Sequence, residues 1–158
     1  MDQATMITLA KIGGYAVFGL SAAGSALGTG AAAMAAVGAW KKCYATSKAA
    51  PFLIAAFIGA PLSQTIYGMI VMNKIINSLK SPDPAILAAT AGNYAGLIGA
   101  GVFGGLAIGM SAWCQGLAGA AASDALGETG QGFGNYILAL GIIETVALFA
   151  MVFVMMYT

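Results

Sequence analysis

Residues 129–158 read TGQGFGNYILALGIIETVALFAMVFVMMYT, thirty positions that carry a single charge, Glu144. A helix of about 20 apolar residues crosses roughly 30 Å of hydrocarbon, so this segment is long enough to span a bilayer, and the carboxylate falls close to its centre. On the N-terminal side, three more stretches, 12–40, 49–73 and 85–123, hold no charge at all, and each is also long enough to span. The connectors at 41–48, 74–84 and 124–134 carry the breakers. They include the Ser81-Pro82-Asp83-Pro84 turn and four glycines between 124 and 134. The expectation is an all-α membrane protein whose four transmembrane helices form two helical hairpins, 1–80 and 81–158. The helices fall at about 12–40 and 50–75 in the first hairpin, and at about 85–124 and 132–157 in the second.

The stretch 85–123 is nearly twice the length one span needs, yet it reads as one helix. Between Tyr94 and Trp113 there is no Pro, Asn or Asp to make a turn, and Gly101, Gly105 and Gly109 recur at helical spacing. A cleaved secretory leader is not expected at the N-terminus, because the first apolar run is too long and lacks a basic leader. Lys41, Lys42 and Lys48 on one side are matched by Lys11, Lys74 and Lys80 on the other, so the basic residues assign no orientation.

Composition narrows the function. The chain is 60% hydrophobic and 7% charged, against roughly 25% charged for a soluble domain, so most of its surface must face lipid. A net charge of +1 with no basic stripe argues against nucleic acid. There is no His, and Cys43 and Cys114 form no CxxC, which removes the usual zinc ligands and most general bases. No GxxxxGK[ST] loop is present, so no nucleotide site and no organic cofactor are expected. Glycine is unevenly placed: the first and third stretches hold 16 of the 23. Small residues let helices approach closely in lipid. Phe52, Phe57, Ile66, Met69, Leu148, Phe149 and Phe153 give the second and fourth a bulky, lipid-compatible surface. The alternation reads as a duplicated hairpin, and a closed assembly satisfies it with the first and third helices as an inner layer and the others outside.

An ionised carboxylate at mid-bilayer costs about 2.5–3.5 kcal/mol on insertion scales, which makes Glu144 a functional candidate. An offset of 80 sets Gln64 opposite Glu144 and Thr65 opposite Thr145, so the two spans are equivalent but only one keeps an acid. Ser63 and Tyr67 share a helical face beside Gln64. Pro61 lacks an N–H and loosens carbonyls around 57–60 from the helical ladder. Gln115 and Glu144 lie about 12 and about 10 residues from the edges of the glycine-rich 127–134 turn, so they can meet at similar depth. An offset of 90 sets Ser25 opposite Gln115, again with the longer side chain in the second repeat. The collected donors are all oxygen, the choice of hard cations. A dehydrated sodium ion balancing Glu144 is favoured over a proton, which needs only the acid and one partner; the proton stays open as the alternative.

At these residues the sequence resembles the membrane rotor proteolipid of V-type and A/V-type ATPases, known as the K or c subunit, in its duplicated four-helix, sodium-type form. The resemblance covers nearly the whole chain. It rests on Ile142-Ile143-Glu144-Thr145, on Pro61-Leu62-Ser63-Gln64-Thr65-Ile66-Tyr67-Gly68 and on Gln115. It implies that Glu144 is the ion-binding carboxylate, Gln64 and Gln115 the amide-oxygen ligands and Ser63 the hydroxyl ligand. Tyr67 would be the hydroxyl bonded to the Glu, and Ala60 would supply a backbone carbonyl. The first span carries the family-like Gly24-Ser25-Ala26-Leu27-Gly28-Thr29-Gly30 run, but not the Lys often present in sodium-type relatives. Ser63 stands where Thr is more usual.

The resemblance further implies a homo-oligomeric ring, a stator subunit whose Arg displaces the ion, and central-stalk subunits at the hairpin loops. The chain would then be no enzyme by itself but the ion-translocating rotor subunit of a rotary ATPase, a multi-pass protein of a bacterial plasma membrane. The competing expectation is a dimeric four-helix proton-coupled transporter. A polar pathway lined with aromatics would mark it, whereas Glu144 has Ile142, Ile143, Val146 and Ala147 beside it. A third class is a structural ring in which Glu144 is incidental.

Overall fold

The computed structural model describes residues 1–158, and every regular element in it is helical. The first span is α1, Gln3–Ala45, whose N-terminus is capped by Asp2 Oδ1 accepting from the Thr5 N–H at 3.2 Å. The second is broken: α2, Ile54–Gly59, passes through a 3₁₀ turn at Ala60–Leu62 into α3, Ser63–Ser78. A short α4, Pro84–Gly92, precedes the third span α5, Tyr94–Thr129, and the fourth is α6, Phe133–Tyr157. Four helices are long and apolar enough to cross a membrane: Gln3–Ala45, Ile54–Ser78, Tyr94–Thr129 and Phe133–Tyr157. This is an all-α, multi-pass membrane protein built from helical hairpins.

Several bounds differ from those read in the sequence, for local reasons. The helix placed at about 85–124 is split at Asn93, whose N–H reaches both Ala89 O and Thr90 O. Asp83 caps α4, with Pro84 in its first turn, so that piece starts independently. The glycine-rich turn is shorter than 127–134. The helix runs on through Gly127 to Thr129, and the chain reverses at Gly130 and Gly132, both at positive φ (66° and 88°), which glycine adopts without a Cβ penalty. At 43 residues α1 is about 64 Å long, roughly twice the hydrocarbon thickness, so its ends stand clear of the bilayer core.

The helix directions follow from the contacts. A Cβ on Gly24 would strike the backbone of Gly109, and one on Gly116 the backbone of Gly28. Numbers rise together along this seam, so α1 and α5 run parallel and pack backbone to backbone. The small residues here allow dispersion contact over a long line where water exclusion offers no drive. Gly68 of α3 meets Ser21, and Gly28 meets Pro61, so α3 runs antiparallel to α1. Gly104 meets Val154, and Gln115 meets Leu140, so α6 runs antiparallel to α5. The two hairpin turns therefore lie at one end, where Cys43 Sγ contacts Gly127 O at 3.4 Å and Lys42 pairs with Glu128.

Two apolar clusters bracket the middle of the bundle. One, toward the chain termini, contains Val17, Val71, Ile75, Leu97, Ile108 and Ala147; the other, toward the turns, contains Ala36, Ile54, Phe57, Leu126 and Leu140. The sequence places Phe57 on a lipid-facing surface, but it is fully buried. Its ring packs on Phe133 and Tyr136 with centroids 5.5 and 6.2 Å away, because Gly119 leaves room beside it. Phe52, Ile66, Met69, Leu148, Phe149 and Phe153 are exposed.

Candidate ion site

Between the two apolar clusters α3, α5 and α6 each contribute polar side chains, and this layer holds the candidate site. Pro61 sits buried in the 3₁₀ turn, where it can give no N–H to the carbonyl four residues back. The turn displaces the regular ladder just before α3, and the Ala60 carbonyl accepts instead from the Ser63 hydroxyl at 3.2 Å. That hydroxyl also lies 3.1 Å from Gln64 Oε1, so its one hydrogen has two acceptors. Gln64, fully buried, donates from Nε2 to Gln115 Oε1 at 2.8 Å.

Gln115 is 1% exposed and uses both amide hydrogens, one on the Leu140 carbonyl at 3.0 Å and one on Glu144 Oε2 at 3.3 Å. The other carboxylate oxygen, Oε1, accepts from Tyr67 Oη at 2.6 Å. A single chain of hydrogen bonds therefore runs from Ser63 through Gln64 and Gln115 to Glu144, with Tyr67 closing it from the far side. The geometry brings all six sequence-read residues together: Ala60, Ser63, Gln64, Tyr67, Gln115 and Glu144.

Glu144 is half-buried at the α3–α5–α6 junction, while its neighbours Ile142 and Val146 are exposed along the outer face of α6. Two donors aim at one carboxylate, and a cation among these oxygens would neutralise it. The oxygens of Ala60, Ser63, Gln64 and Glu144 suit a hard monovalent cation, and the carboxylate with Tyr67 suits a proton.

Sequence reasoning missed three groups. The Leu140 carbonyl accepts from Gln115, and Ser111 Oγ donates to the Ile143 carbonyl at 2.8 Å. A signal for Ser111 was present, since it lies four residues before Gln115 on the same helical face. Ser25, set opposite Gln115 by the repeat, is buried on α1 but makes no hydrogen bond, and it takes no part in the network.

The fold and the polar layer define a helical membrane protein that holds one hydrogen-bonded carboxylate at mid-span. Residues 98–157, which contain Gln115 and Glu144, match the family model for the C subunit of ATP synthase. No curated protein matches the chain. The family match takes in most of the α5–α6 hairpin, 60 of the 158 residues.

Proposed function

We propose that the whole chain is a duplicated, V-type rotor proteolipid of the subunit K kind, in which each copy carries one sodium ion at Glu144. The observation that carries this reading is the network that joins Glu144 to Gln64, Gln115, Ser63 and Tyr67 between two apolar layers. Many copies form a ring, bathed by lipid on its outer face, which turns against a stator subunit.

Between visits to the stator, Glu144 must be neutral, because a bare carboxylate facing hydrocarbon would block rotation. Sodium held by the carboxylate and the amide, hydroxyl and Ala60 carbonyl oxygens meets that need. An Arg on the stator would displace the ion at each passage and serve as the counter-charge meanwhile. Rotation and ion movement are then obligatorily coupled. Each ion crossing 100 mV exchanges about 2.3 kcal/mol, which a soluble head linked through stalk subunits at the hairpin loops can use or supply. The setting is a bacterial plasma membrane.

Labelling of Glu144 by a hydrophobic carbodiimide, with and without sodium, tests the cation. Slower labelling in sodium at a pH where the acid is otherwise reactive fits sodium as cargo. Equal rates would leave the proton as the ion carried, with Tyr67 as its hydrogen-bond partner.

A further inference from the structure

Buried hydroxyls on membrane helices usually bond back to their own helix four residues earlier. Ser21 does so to Val17 O at 2.7 Å, and Ser123 to Gly119 O at 2.8 Å. Ser111 does not. It is 5% exposed and crosses from α5 to the Ile143 carbonyl of α6, the carbonyl immediately before Glu144. One turn further along α5, Gln115 reaches the Leu140 carbonyl, and in the regular helix that is the acceptor of Glu144's own N–H. A carbonyl has two lone pairs, so each can serve its helix and α5 together.

We propose that Ser111 is a positioning residue for the ion site, pinning the turn of α6 that carries Glu144. The proposal rests on the reading of Glu144 as the ion carboxylate. With Gln115 alone, α6 would be tied to α5 at one height and free to rotate about that tie. A second tie three residues along α6 fixes both the rotation and the height of the turn. It does so at the register where the carboxylate meets Tyr67 at 2.6 Å and Gln115 at 3.3 Å. The Ser111 hydroxyl makes no hydrogen bond to the carboxylate, to Tyr67 or to the Gln115 side chain; its partner is the Ile143 carbonyl, so it acts through the α6 backbone.

The test compares assembled, detergent-purified wild-type protein with S111A, S111T and S123A by carbodiimide labelling of Glu144 across pH and sodium concentration. S111A is expected to need about fivefold more sodium for half-protection and to shift the pH profile of labelling. S111T, which keeps a donor, is expected to restore the wild-type values. S123A loses an equally buried hydroxyl that bonds only within α5, and it should leave both readings unchanged. Should S111A fail to assemble, S111C is read in its place by the same criterion.

Unchanged protection in assembled S111A, no rescue by S111T, or an equal shift in S123A would each overturn the role of Ser111 while the ion site stands. A wild-type protein whose Glu144 labelling responds to neither sodium nor pH would instead overturn the ion-site reading, and Ser111's role with it.

Discussion

Glu144 is tolerated at mid-membrane only because its oxygens have partners, Tyr67 on one and Gln115 on the other. The same donors rank the substitutions. Glu144→Gln keeps the shape and an acceptor for Tyr67 but cannot balance a cation; ion-coupled transport should vanish while the oligomer still assembles, as a transport assay and the particle mass will show. Tyr67→Phe removes a hydrogen bond to a charged group and should weaken ion binding about tenfold, read as the sodium concentration for half-protection of Glu144. In the proposed site proton and sodium would compete for one carboxylate, and the carbodiimide attacks the protonated form. A tenfold rise in saturating sodium should therefore lower the pH of half-labelling by about one unit. Glu144 was legible in the sequence because charge is so scarce there. Ser111 was legible only in part: its place four residues before Gln115 put it on the same face, but a serine on a helix of small residues gives no sign of whether it bonds its own turn or the next helix.

Among the helices, the α1–α5 seam carries the packing. Gly24 and Gly109 meet with no room for a side chain on either, so Gly24→Val must push the two backbones apart. The expected cost is about 1–3 kcal/mol, seen as a lower thermal midpoint of the assembled protein, and an unchanged midpoint would show the seam to be looser than drawn. The four spans were readable because three are uncharged runs and the fourth carries only Glu144, each bounded by charges and breakers. What escaped the sequence was set by hydrogen bonds between neighbours. Asn93 interrupts the stretch read as one span, just after Gly92, which by itself looks like any other glycine of a small-residue helix, and Gly127 stays helical while Gly130 and Gly132 turn. Phe57 looked like lipid-facing bulk because apolar surface and apolar core are identical in composition inside a bilayer; only Gly119 opposite it decides burial.

For the molecule as a whole, both hairpins point the same way and their turns are tied together by the Lys42–Glu128 pair and by Cys43 on Gly127. The chain is therefore a single four-span bundle with the polar layer between its two apolar clusters. The ring is proposed because it lets one carboxylate per copy carry its ion past a stator. The detergent-solubilised particle, weighed intact, should contain many more than two copies; a dimer would favour the proton-coupled transporter. The claim on which the rest depends is that Glu144 is the ion-carrying carboxylate, and carbodiimide labelling mapped by residue reads it. Glu144 should be the one carboxyl modified, at a rate that falls as sodium or pH rises. Modification at Asp2, Asp83, Asp124 or Glu128 with Glu144 untouched, or a Glu144 rate indifferent to both ions, would contradict the account.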